Sequence, residues 1–277
     1  MVSLSNQAIF AAFALLVGTL WFARGVVAQP VAQPVAQSPA ARAKAIAPVD
    51  LTGYWVSIVT EDWRWRMITP AKGDYASVPL NAEAERVADT WDPAKDEAAG
   101  EQCRSYGAPA IMRVPGRLHI TWDSENALRI DTEAGTQTRV FRFATQGSDP
   151  KSGSDPATAQ TSGSEPTTAS WQGHSVAQWE PAGGGRRGAA PTLAGSLKVV
   201  STGMRPGYLR KNGVPYSANA VVTEYYNRTH EDNGDGWLIL TTVVQDPQYL
   251  NGRFFTSTHF KKLPDASGWK PTPCTAR

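Results

Sequence analysis

The chain has 277 residues, with 27 Lys and Arg against 25 Asp and Glu, and ten Trp. Charges this closely balanced, with no basic run and no Lys/Arg stripe interleaved with the aromatics, argue against a nucleic-acid partner. The length suits one large β domain or two small ones.

The chain opens on an apolar run, Ala8 to Ala23, followed by the small-residue exit Val26-Val27-Ala28. Residues 1–28 therefore read as a signal peptide cleaved after Ala28, and the protein as periplasmic or secreted. The first seven residues carry no Lys or Arg, and Arg24 stands beyond the run. An uncleaved N-terminal anchor is the rival, and would be the chain's one contact with a membrane. At about 16 residues the run is short of the roughly 20 needed for a full span. The Pro-punctuated Val-Ala-Gln repeat that follows makes residues 29–49 a flexible tether.

From Leu51 onward the apolar residues recur with the two-residue period of strands with one buried face. Gly53-Tyr54-Trp55 opens a strand through Thr60. The run Trp63-Arg64-Trp65-Arg66-Met67 alternates aromatic with cationic, so a strand puts Trp63, Trp65 and Met67 on one face and both arginines on the other. That apolar face is either core or the Trp wall of a cavity. Residues 80–90, with Asn81 as N-cap and Ala84, Val87 and Ala88 on one side, form the single clear helix, ended by Trp91-Asp92-Pro93.

Further strands are expected at about 109–115, 117–123, 126–133, 136–144, 171–180, 196–204, 216–228, 236–246 and 254–263. The turns at Gly116, Ser124-Glu125-Asn126 and Gly135 are short, which indicates an antiparallel meander, because a parallel connection needs a long crossover. Two segments, about 147–169 with its repeated Gly-Ser-Asp/Glu-Pro and 181–194 with Gly183-Gly184-Gly185-Arg186-Arg187, read as disordered insertions. The fold class is all-β with one short helix: a single domain, 50–277, whose ten or eleven strands close into a barrel and so remove exposed edges. The two cysteines, Cys103 and Cys274, pair most simply as one disulfide in an oxidising compartment, two free thiols being the alternative.

No compact catalytic spacing is present. Gly173-His174-Ser175 lacks the Gly-x-Ser-x-Gly pattern and strand–turn–helix setting of a nucleophile elbow. None of His119, His174, His230 and His259 stands at a metal-ligand spacing, and no metal or cofactor is expected. The acidic turn Glu231 to Gly236 is too short for a calcium loop and reads as a hairpin. Glu224, between Val222 and Tyr226 on one strand face, is either capped by an arginine, with Arg113 and Arg139 as candidates, or a tuned acid/base group. Phe255 and His259 share a face that suits a mostly apolar pocket with a few polar groups. The basic, aromatic loop Arg205 to Lys211 either gates a barrel mouth and meets an anionic ligand or is an ordinary surface loop.

Gly53-Tyr54-Trp55 resembles the Gly-x-Trp that opens the first strand of lipocalins and the wider calycin barrels. The resemblance implies a cup whose Trp packs across the closed end against a basic side chain from a late strand, here Arg253 or Lys261, and whose lumen holds a small apolar ligand. This chain is longer than a typical lipocalin and carries a large insertion. A second set is similar to a broad group of exported bacterial proteins of unknown activity. It runs through Cys103-Arg104-Ser105-Tyr106-Gly107, Met112-Arg113-Val114-Pro115, Trp171-Gln172-Gly173-His174-Ser175, Trp179-Glu180, Leu197 to Thr202, Gly213-Val214-Pro215-Tyr216-Ser217, Glu224 and Asp246-Pro247. In that group Trp-Glu commonly continues into Gly-Asp, whereas here Pro181 and a Gly/Arg loop intervene; the likeness implies fold and export only.

Two functions follow. The first is a module binding a small apolar or aromatic molecule in the lumen, lined from Trp55, Trp63, Trp65, Arg113, Arg139, Phe141, Trp171, Tyr216 and Phe255. The second is a cofactor-free lyase, isomerase or hydratase, using His174, His259 or His119 with Glu224 or Glu180 as acid/base groups. An interaction protein with a filled barrel is a third. Convergence of a histidine and a carboxylate on one cavity separates the enzyme from the binder.

Overall fold

The structure is a computed structural model that describes residues 42–143, 168–181 and 195–277. The expected signal segment lies outside these residues, as do nearly all of the two expected insertions. The strands are β1 (Gly53–Ile58), β2 (Arg117–Ser124), β3 (Ala127–Thr132), β4 (Thr138–Phe143), β5 (His174–Pro181), β6 (Gly195–Thr202), β7 (Gly207–Tyr208), β8 (Pro215–Tyr216), β9 (Val221–His230), β10 (Gly236–Gln245) and β11 (Phe254–Leu263). Nine of them close a barrel in the order β1-β11-β10-β9-β6-β5-β4-β3-β2, and β7 and β8 form a separate two-stranded ribbon. The class is all-β, as the two-residue periodicity implies.

The pure antiparallel meander is corrected at one seam: β4 and β5 pair in parallel, with Phe141 opposite Ser175. Parity demands such a seam. A closed ring with an odd number of strands cannot alternate direction at every step, so at least one neighbouring pair must run the same way. The long 144–173 connection lets β5 enter at the same end of the barrel as β4, which no tight turn could do.

Side-chain alternation fills the interior. Trp55, Leu118, Ile120, Leu128, Ile130, Phe141, Leu197, Val199, Tyr226, Leu238, Leu240 and Phe260 are all buried and form one continuous core. At one end of the barrel the β1–β2, β6–β9 and β10–β11 connections stack into a cap with its own apolar cluster, including Val78, Ala84, Leu209, Val214, Tyr216, Val222 and Phe254.

The cap contains the main departures from the sequence reading. The expected strand over Trp63–Met67 is a one-turn helix, α1 (Trp63–Arg66), entered through Asp62 at φ 51°. A helical turn brings i and i+4 to one side, so the faces are inverted: Trp63 and Met67 are 65% and 60% exposed, while Arg66 is buried. α2 (Ala82–Ala88) is the expected helix, and the Asn81 side chain accepts a hydrogen bond from the Ala84 N–H at 2.9 Å. Trp91-Asp92-Pro93 does not merely end it. Asp92 caps a further helix, α3 (Pro93–Ala98), with Pro93 in its first turn, where a missing N–H costs nothing. The expected strand at 109–115 is instead a tight 3-10 turn at Ile111–Arg113, buried throughout.

After β11 the chain runs back across the outside of β2 and β3. Trp269 edges the Tyr54 ring at 5.8 Å, Thr272 bridges Ala134, and Cys274 is disulfide-bonded to Cys103 with a Cα–Cα distance of 5.1 Å. At the other end, residues 42–49 do not belong to a tether. Ala43 N–H donates to Asn126 Oδ1 at 2.8 Å, and Trp179 Nε1 donates to Ala43 O at 2.9 Å. Val49, Trp122, Phe143 and Trp179 pack against the core there. Among the described residues no helix is long and apolar enough to cross a membrane.

Candidate functional site: a cationic cleft at the barrel mouth

A cavity of 490 Å³ lies at the capped end, outside the filled interior. α1 and the residues after it, the 3-10 turn, the tip of the β7–β8 hairpin and the C-terminal segment enclose it. Five cationic residues line it: Arg66, Arg113, Arg210, Lys211 and Arg277.

Local geometry fixes the first three of them. The hairpin tip Arg210-Lys211-Asn212-Gly213 is closed by Leu209 N–H donating to Val214 O at 2.7 Å. Gly213 sits at φ 84° against the Trp91 side chain, a conformation and a clearance that only glycine supplies. Asn212 Nδ2 donates to the carbonyls of Ala71 and Asp74, both at 3.0 Å, pinning the tip to the 71–76 loop. Arg210 Nη1 donates to Ala76 O at 2.7 Å, and its guanidinium lies 4.7 Å from the Trp65 ring centroid. Trp65 in turn donates to Asp74 at 3.3 Å. Arg66 donates to Arg113 O at 2.9 Å and pairs with Glu61. Arg113 Nη1 pairs with Asp62 at 3.0 Å.

The electrostatics are unbalanced. Arg66 and Arg113 each have a carboxylate, but Arg210 has none in contact among the described residues. Burial, and next the charge of Arg113, push the Arg210 guanidinium below its ordinary value. Burial also lowers Arg66, against the pull of Glu61. Three buried nitrogens, Arg113 Nη2, Arg210 Nε and Arg210 Nη2, have no hydrogen-bond partner. Lys211 lies 5.1 Å over the Tyr106 ring; burial pushes that phenol up, but Lys211 and Thr275 outweigh it and hold it below the usual range.

Of the residues singled out from the sequence, Trp65 and Arg113 line this cleft, and Trp63 stands exposed beside it. The Arg205 to Lys211 loop does reach the barrel mouth, through Arg210 and Lys211. Arg66 was not foreseen, because strand alternation put it on a solvent face.

Trp55, Phe141, Arg139 and Glu224 lie in the barrel interior. Arg139 caps Glu224, with Nη2 to Oε2 at 2.6 Å, and Tyr226 and Ser201 complete its surroundings. The Trp55 ring is covered by Lys262 at 4.5 Å and Arg228 at 5.8 Å. The basic partner is therefore neither Arg253 nor Lys261: one step along β11 reverses the face, and Lys261 points out to Asp235 at 2.8 Å. Tyr216 is buried in the cap cluster, and Trp171 lies under Arg205 at 4.2 Å, away from the cleft.

The acid/base set does not converge. His174 is exposed, His119 stacks on Tyr54 at 4.1 Å on the outer face, and Glu180 pairs with Lys198 at 3.6 Å. Strand alternation puts all three histidines outside and Glu224 inside. Phe255 shares His259's face, but that face is the outer one and Phe255 is 59% exposed. His259 has an unforeseen neighbourhood: Nδ1 lies 3.3 Å from Glu61 Oε2 and Nε2 3.3 Å from Ser257 Oγ. Glu61 escaped notice because it sits in a connection far from His259 in the chain; its neighbour Thr60 is 199 residues away. Among the described residues no three His, Cys, Asp or Glu side chains group at metal-binding range.

No family model matches the chain, and neither a curated protein nor a solved structure matches it. The function must be argued from the site.

Proposed function

We propose that this chain is an exported, lipocalin-like barrel that works as a binding module, with its small-molecule site in the cleft at the mouth and not in the lumen. The observation that carries this reading is the cleft's apolar wall. Trp65, Met67 and Ile68 line a 490 Å³ cavity, and Met67 and Ile68 are 60% and 67% exposed. That volume is within the ordinary range of small-ligand sites, and contiguous exposed apolar side chains mark a binding surface. A core occupied by large buried side chains from eight of the nine barrel strands supports moving the site out of the barrel. Nine strands and one parallel seam depart from the eight-stranded up-and-down lipocalin barrel, so the likeness extends to a closed wall whose first strand carries a Trp covered by a basic side chain from the last strand. The disulfide supports an oxidising compartment.

Native mass spectrometry of protein purified from its own host tests the reading. A co-purifying small molecule is expected, and Met67→Asp should lose it while the far-UV spectrum is unchanged. An adduct that survives Met67→Asp and Ile68→Asp together would place the site elsewhere.

One observation favours acid/base chemistry as a second reading: the Glu61–His259–Ser257 contact on the outer face. A general base oriented by a carboxylate is the arrangement acid/base catalysis needs. Turnover on a panel of hydratase, isomerase and lyase substrates that vanishes in His259→Asn would support it; a panel without turnover would end it.

A further inference from the structure

Resting on the reading of the cleft as a binding site, we propose that its ligand carries a tetrahedral oxyanion, a phosphate or sulfate monoester on an apolar or aromatic body, seated between Arg113 and Arg210. Both side chains are more than nine-tenths buried, Arg113 at 6% and Arg210 at 4% exposure, and both line the cavity. A buried guanidinium without an anion is unfavourable, and buried donors are ordinarily satisfied. Here three donor nitrogens on two guanidiniums are orphaned and closed to solvent, so the anion reaches them by parting the side chains that cover them at the cleft wall.

Their arrangement selects the anion. Arg210 Nε and Nη2 form one edge of its fork, which takes two oxygens of one anion side by side. Arg113 Nη2 belongs to a second guanidinium and calls for a third oxygen. A monoester headgroup has three terminal oxygens; a carboxylate has two. The local charge agrees. Arg66, Arg113 and Arg210 face Glu61 and Asp62; Lys211, engaged by the Arg277 main-chain oxygen at 2.8 Å, and the Arg277 side chain add further positive charge. Asp74, the other carboxylate near Arg210, is engaged by Arg64 at 2.8 Å and by Trp65. The Trp65 ring, already stacked on Arg210, and the Met67–Ile68 wall would take the apolar body.

Isothermal titration of the full chain with 1-naphthyl phosphate, 1-naphthyl sulfate, 1-naphthoate and 1-naphthol separates the outcomes. The two esters are expected to bind at least tenfold more tightly than naphthoate and naphthol, and their ratio tells phosphate from sulfate. Arg210→Met should cost the esters tenfold or more and leave naphthol unchanged. If Arg210→Met melts at a much lower temperature, Arg113→Lys, which keeps the charge and loses the orphaned fork nitrogen, carries the same expectation. Equal affinity for all four probes, lost in Met67→Asp, would overturn the oxyanion while leaving the cleft as the binding site. Binding of none of the four would overturn both.

Discussion

Arg139 and Glu224 meet inside the barrel as a two-pronged ion pair, at 2.8 and 2.6 Å, with neither side chain exposed. Tyr226 adds a donor to Glu224 at 3.1 Å. Such a pair contributes little compared with an apolar pair of the same volume, because desolvating both charges offsets their attraction. Breaking it is different, since the survivor is then a buried charge with no counterpart. Glu224→Leu or Arg139→Met is expected to cost about 3–5 kcal/mol. The double change Arg139→Met with Glu224→Leu should cost less than either single change. Urea unfolding of the three variants checks this; additive single costs would show that the pair is not coupled.

The Cys103–Cys274 bridge closes a loop of sequence separation 171 and ties the C-terminal segment to the cap. A loop of that length gives about 5 kcal/mol on the chain-entropy account. Cys103→Ser with Cys274→Ser should therefore lower the denaturation midpoint with the slope little changed. The effect should reach the cleft, because Lys211 donates to the Arg277 and Thr275 oxygens at 2.8 and 3.2 Å. A weaker oxyanion affinity in the double mutant, with the barrel still folded, is the expected result in titration.

The barrel was legible because its signal is repeated. Each strand alternates buried and exposed positions, and β2, β3, β4, β6, β10 and β11 fall within a few residues of their expected places. The β2–β3, β3–β4, β9–β10 and β10–β11 pairings join runs a few residues apart, whereas the other five barrel pairings depend on longer connections whose path no local pattern fixes. The cleft was mostly hidden for the same reason. Arg66 and Arg113 stand 47 residues apart in the β1–β2 connection and Arg210 lies in the β6–β9 connection, so no local pattern brings them together. The Trp63–Met67 alternation misled outright: five residues satisfy a two-residue period and a single helical turn equally well, and Asp62 at positive φ decides for the turn.

Gly173 explains the Trp171-Gln172-Gly173-His174-Ser175 run in physical terms. The segment staples the returning chain to the cap: Trp171 O accepts from Ala108 N–H at 2.9 Å, and Gln172 Nε2 donates to Tyr106 O at 2.7 Å. Gly173 turns the chain into β5 at φ 59°, where an added Cβ would collide with the Thr202 carbonyl. Left-handed backbone costs an L-residue roughly 1–2 kcal/mol, and the collision adds to it. Gly173→Ala is expected to destabilise by about 3 kcal/mol, within the range for special-φ sites. A loss under about 0.5 kcal/mol, the level of an ordinary surface change, would contradict this account.

Tyr208 links the hairpin that carries Arg210 to α3. Its hydroxyl donates to Asp96 Oδ2 at 2.9 Å and accepts from Arg104 at 3.0 Å. Burial, and then the Asp96 carboxylate, against the opposing pull of Arg104, raise the phenol to about 12 from an ordinary 10. The folded state thus holds this proton more tightly than the unfolded chain does. The stabilisation is complete below pH 10, declines above it, and is lost as pH rises through about 12. Absorbance at 295 nm should resolve a late-titrating phenol that disappears in Tyr208→Phe. Tyr75, bonded to Asp89 at 2.8 Å and also raised to about 12, should remain as a second late component. Oxyanion affinity should fall over the same interval, because a phenolate facing Asp96 loosens the ribbon that sets Arg210. An identical titration curve for wild type and Tyr208→Phe would remove the basis for that coupling.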